Sequence, residues 1–128
     1  MASPAPSIDL LTQLEYYAIR DTLLGHNRVK QDVKRALELA STCQHQDAQW
    51  LTKIFAGKDV KTKEEAREVF LAQGDDDARA LCFAAVIEES VDEGRLRQAA
   101  DLGFPFAQAC VADLVWGDYR FSLALRSS

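Results

Sequence analysis

The chain is short of the residues on which most metal, disulfide and catalytic chemistry depends. It holds three cysteines, Cys43, Cys82 and Cys110, and two histidines, His26 and His45. The cysteines are odd in number, widely spaced and form no CxxC pair, so a disulfide framework is not expected and reduced thiols in an intracellular, cytoplasmic setting are. Basic charge is also in the minority, with 15 Lys and Arg against 20 Asp and Glu, a net charge of -5. That balance argues against binding nucleic acid through its phosphates, which needs clustered cations. No apolar run approaches the roughly 18 residues of a membrane span, so none is expected. Proline is scarce, and two of the three, Pro4 and Pro6, fall at the start. Met1 to Ser7 has neither the charged nor the apolar part of a signal peptide and reads as a disordered leader.

What remains is a folding sequence biased to helix. At 128 residues it has the length of one domain, taken here as residues 8–125. Its 48% apolar and 27% charged content suits a packed core. Ala, Leu, Glu, Lys, Arg and Gln dominate, and all favour helix.

Short phrases recur. Asp47-Ala48-Gln49-Trp50-Leu51 returns thirty residues later as Asp77-Ala78-Arg79-Ala80-Leu81, and again, twenty-nine further on, as Phe106-Ala107-Gln108-Ala109-Cys110. A second phrase, with Gly25, Val29, Asp32 and Ala36, is answered by Gly57, Val60, Lys63 and Ala66. Two phrases on one period of about thirty residues are the signature of a helical-repeat chain.

Apolar residues fall at helical spacing between these landmarks. Thr62 with Glu65 forms a capping box, Asp75-Asp76-Asp77 opens one helix and Pro105 another, while Gly25, Gly57, Gly74, Gly94 and Gly103 are read as stops. The pattern predicts helices near 8–24, 29–43, 46–57, 62–73, 76–90, 92–102 and 105–116. Loops this short make consecutive helices antiparallel neighbours. Ala48, Ala78 and Ala107 are expected at close helix crossings, where a larger residue would overpack.

Arg97-Gln98-Ala99-Ala100-Asp101-Leu102-Gly103-Phe104-Pro105-Phe106-Ala107-Gln108, together with the turn phrase at Gly25, Val29, Asp32 and Ala36, resembles the Sel1-like repeat, a relative of the tetratricopeptide repeat. The resemblance spans about residues 20–117. It implies an all-α fold, a short right-handed α-solenoid of antiparallel helix pairs with about seven helices, and a role in holding other proteins.

The candidate chemistry is thin. His26 and His45 sit in polar turns and read as solvated. Cys43-Gln44-His45 lacks the second ligand pair that zinc requires. Cys82 and Cys110 occupy apolar positions and read as core. Asp75-Asp76-Asp77 lacks the distant closing Glu of a calcium loop and suits a helix N-terminus. The cations Arg28, Lys30, Lys34 and Arg35 read as a solvated helix face, with a docking patch as the sharper alternative. No phosphate loop or catalytic motif is present, so neither an enzyme nor a cofactor is expected.

The expected function is that of a non-enzymatic adaptor, a scaffold binding a peptide or helical protein partner on its concave face. Trp50, Lys53 and Arg79 are the candidate partner-binding residues, Trp50 because aromatic anchors dominate such interfaces. Trp50 and Trp116 also fit core packing. The alternative is a structural or regulatory subunit that forms a homo-oligomer or larger complex through its apolar end, Tyr119 to Leu125.

Overall fold

A computed structural model describes residues 10–88 and 90–115. Among these the chain is all helical, with no strand. The helices are α1 (Leu10–Leu24), α2 (Val33–Ala40), α3 (Gln46–Ile54), α4 (Lys63–Leu71), α5 (Ala78–Val86), α6 (Glu93–Asp101) and α7 (residues 105–115). The leader 1–7, Trp116 and the apolar end 119–125 lie outside the described residues.

Local chemistry sets the helix starts. A helix leaves its first backbone N–H groups unpaired, and a side-chain oxygen just ahead of it can accept from one of them. Asp32 accepts from the Arg35 N–H at 3.0 Å, Asp77 from Ala80 at 3.1 Å and Asp92 from Arg95 at 3.2 Å. Thr62 does the same for Glu65 at 3.2 Å, which is the first half of the expected capping box; the Glu65 carboxylate turns back as well but accepts from the Thr62 hydroxyl and the Lys61 N–H, one residue before the N–H that the box would engage. The caps Asp32, Thr62 and Asp92 recur at intervals of thirty residues, so α2, α4 and α6 all begin in one register.

Three sequence expectations shift. α2 starts at Val33, not near 29, because Asn27 and Arg28 hold left-handed backbone (φ 54° and 65°) and Asp32 makes the cap. Gly94 is no stop but the second residue of α6, with no positive φ, whereas Gly25, Gly57, Gly74 and Gly103 do adopt one. The repeated Ala also changes phase. Counted from the helix starts, the third residues of α3, α5 and α7 are Ala48, Ala80 and Ala107, each with no exposed surface, while Ala78 is half-buried. The Asp77-Ala78 phrase copies Asp47-Ala48 in letters only, since Asp77 is a cap and Asp47 lies inside α3.

The chain divides into two compact units, Met1–Val69 and Phe70–Ser128. In the first, α1 packs on α2 and α3, and α2 on α3. Its buried residues include Ile19, Leu23, Val33, Ala36, Ala48 and Leu51. In the second, α5 packs on α6 and is the most enclosed helix, with every residue from Ala80 to Ile87 buried. A helix apolar all round has no face to offer water and must be surrounded. Aromatic rings build that surround: Phe83 stacks on Phe70 at 5.4 Å between centroids and meets Phe106 at 6.0 Å and Phe104 at 6.4 Å.

Candidate functional site

Of the three sequence-nominated residues, Trp50 and Lys53 share α3, and Arg79 lies in the second unit. The α3 side that carries Ala48 and Leu51 is buried, which leaves Trp50 half-buried and Lys53 exposed. Lys53 occupies the last turn, where a cation complements the negative end of the helix dipole. Arg79 is half-buried in the first turn of α5, one residue after Ala78. Counted from the helix starts, Arg79 corresponds to Asp47, and Lys53 to the buried Ala85, so the three do not occupy equivalent repeat positions.

His45 overturns its reading as a solvated turn residue, being only 8% exposed. Its ring stacks on Tyr16 of α1, with centroids 4.0 Å apart and planes 13° from parallel. Its Nδ1 accepts the Asp47 N–H at 3.0 Å, so the imidazole serves as the N-cap of α3. That bond requires an unprotonated Nδ1, which makes Nε2 the protonated nitrogen of the neutral ring. Burial pushes the imidazole pKa below its ordinary value of 6.5, the Asp47 carboxylate works in the opposite direction, and the Arg20 guanidinium adds to the depression. Arg20 itself lies over the Tyr17 ring at 4.8 Å and the Tyr16 ring at 5.9 Å. Neither Tyr16 nor Arg20 stands out in the sequence, because only the packing of α1 against α3 gives them a role.

Cys43 and Cys82 are buried, Cys110 is half-buried, and no disulfide joins any of the three. Asp77 of the acidic triplet caps α5, and the Asp75 carbonyl accepts from the Gln98 side chain at 3.0 Å. Among the described residues no three His, Cys, Asp or Glu side chains come together as a metal site. Nor is any described helix long and apolar enough to cross a membrane.

Two surface features stand out. On α1, Leu10, Leu11 and Leu14 are 71%, 66% and 53% exposed, so the first turns of the helix present apolar side chains to solvent. The second feature is the loop of residues 25–32 between α1 and α2. It carries Arg28 and Lys30, and Lys34 and Arg35 follow in the first turn of α2, all four exposed. The expectation of one helix face is therefore half met, since two of the cations lie on loop backbone.

No protein-family model, no curated protein and no solved structure matches the chain.

Proposed function

We propose that the chain is a non-enzymatic helical-repeat adaptor that works inside the cell and holds a peptide or helical segment of a protein partner. In this reading the helix pairs stack as a short right-handed α-solenoid of the Sel1-like and tetratricopeptide type. The partner lies on its concave face against Trp50, Lys53 and Arg79. The observation that carries the reading is the thirty-residue recurrence of the capped starts at Asp32, Thr62 and Asp92. Solenoids are built by repeating one supersecondary unit in register, and they bind through extended surfaces.

Affinity purification with the whole chain as bait tests this, run beside a Trp50→Ala/Lys53→Ala/Arg79→Ala variant. Loss of the captured protein from the variant is expected, and capture at equal yield would contradict the assignment of these residues. Because Trp50 is half-buried, a Lys53→Ala/Arg79→Ala pair separates lost binding from lost packing.

A second reading is a structural or regulatory subunit that self-assembles through its apolar end, Tyr119 to Leu125, which lies outside the described residues; the exposure of Leu10, Leu11 and Leu14 at the start of α1 supports self-assembly from a different surface. Mass measurement in solution separates the two. A monomer supports the adaptor, and a stable dimer supports assembly.

A further inference from the structure

The loop of residues 25–32 is stiff, strained and basic in a protein whose net charge is -5. Its stiffness comes from bonds back to the end of α1. The Gly25 and His26 N–H groups donate to the Asp21 carbonyl at 2.8 and 3.1 Å, and the Asp32 N–H donates to the Thr22 carbonyl at 2.8 Å. The Gln31 side chain donates to the Leu23 carbonyl at 3.0 Å, and Asn27 Nδ2 to Asp21 Oδ1 at 3.1 Å. Inside the loop the Val29 N–H closes a turn on the His26 carbonyl at 3.0 Å.

The strain lies at Arg28. Two successive residues, Asn27 and Arg28, hold left-handed backbone, which Asn tolerates and a long side chain such as Arg adopts at a cost. Sparsely populated backbone of this kind persists where the surroundings enforce it, and it concentrates at ligand contacts. Here it carries an exposed guanidinium.

The charges are also uncommitted. Among the described residues Arg28, Lys30 and Lys34 form no ion pair, and Arg35 has only an exposed contact with Glu38 at 3.7 Å. The acids of the segment have other tasks: Asp21 accepts from Asn27, and Asp32 caps α2. Between the cations sits Val29, an apolar side chain 37% exposed.

We propose that this loop and the first turn of α2 form a docking surface for an acidic peptide segment of a protein partner. Carboxylates of the segment pair with Arg28, Lys30 and Lys34, and an apolar side chain between them packs on Val29. Charge-assisted bonds from guanidinium and ammonium to carboxylate supply recognition. The locked loop has little conformational entropy left to lose on binding. A protein segment is favoured over nucleic acid because the chain as a whole repels polyanions, whereas a short acidic peptide meets only the local field. The surface shares no residue with the set Trp50, Lys53 and Arg79 and does not depend on the groove reading.

The test is fluorescence anisotropy with the full chain and a labelled twelve-residue peptide alternating Glu or Asp with Leu or Val. A labelled twelve-nucleotide oligo-dT and a peptide with Lys in place of each acid run in parallel. Arg28→Glu/Lys30→Glu is expected to weaken acidic-peptide binding at least tenfold, while Lys58→Glu/Lys61→Glu, the same charge change elsewhere, leaves it within twofold. Arg28→Gly removes the cation while suiting the left-handed backbone, so it should melt no lower than wild type and still bind several-fold more weakly. Equal loss in both reversal variants would reduce the effect to net charge and overturn the proposal. So would undetectable peptide binding to the wild type, or tighter binding of the oligonucleotide than of the peptide.

Discussion

The imidazole of His45 lies flat on the phenol ring of Tyr16, 4.0 Å between centroids, while its Nδ1 caps α3 through the Asp47 N–H. One side chain thus ties the start of α3 to α1, and it can do so only while neutral.

Stability should therefore fall in mild acid. With the folded-state pKa lowered, the unfolded chain takes up the proton first as pH drops. The contribution of His45 is fully present above about pH 6.5, the ordinary histidine value, and is lost progressively below it as the folded-state pKa is approached. Asn also caps helices well and does not titrate in this range. Chemical denaturation at pH 7.5 and pH 5.0 should show a larger drop for wild type than for His45→Asn. Parallel drops in the two proteins would remove His45 from the account.

The caps can be tested one at a time. Asp32→Ala and Asp77→Ala should each cost about 1 kcal/mol in denaturant unfolding. Thr62→Ala removes a hydroxyl that both accepts from the Glu65 N–H and donates to the Glu65 carboxylate, and should cost at least as much. Losses below about 0.3 kcal/mol at all three sites would mean that packing alone positions these helices, given that cap removal costs about 0.5–2 kcal/mol.

The phase of the repeat makes an opposite pair of predictions. Ala80 has no exposed surface and Ala78 is half-buried, so Ala80→Leu should destabilise by about 1–3 kcal/mol and Ala78→Leu by clearly less. Thermal melts of the two variants check this directly. A reversed order would restore the register suggested by the letters alone.

Gly25 and Gly57 separate backbone strain from crowding. Both hold positive φ, 69° and 74°, but a methyl group at Gly25 would come within 3.0 Å of Gln31 Cβ, whereas at Gly57 it meets nothing within 4 Å. Left-handed backbone costs an alanine about 1–2 kcal/mol at either position. Gly25→Ala should cost more than Gly57→Ala when unfolding is followed by circular dichroism, and equal costs would show that the Gln31 contact relaxes.

Much of the helical layout is legible in the sequence because starts and stops are local chemistry. Asp32, Thr62, Asp77, Asp92 and the glycines act on backbone within a few residues of themselves. The misreadings arise where local letters carry two meanings. Asp47 and Asp77 look alike, yet one lies inside a helix and the other ahead of one, so the letters place the buried Ala of α5 two residues too early. Gly94 resembles a stop, but Asp92 caps ahead of it and α6 runs through it. The burial of His45 is not legible in the sequence because its partner Tyr16 lies on another helix, twenty-nine positions away. The basic segment could be counted but not shaped, since the left-handed backbone at Arg28 depends on bonds from Gln31 and Asp32 back to α1. The candidate site is the least legible part, because a binding face is defined by a partner that the chain does not encode.

Site-specific photo-crosslinking in the cells that make the chain asks whether a protein partner lies against Trp50, Lys53 and Arg79. A benzophenone amino acid would replace each residue in turn, with exposed Glu64 as the control position. One protein should be crosslinked at positions 50, 53 and 79 and not at 64. Adducts no stronger at those positions than at 64, or none at all, would contradict it.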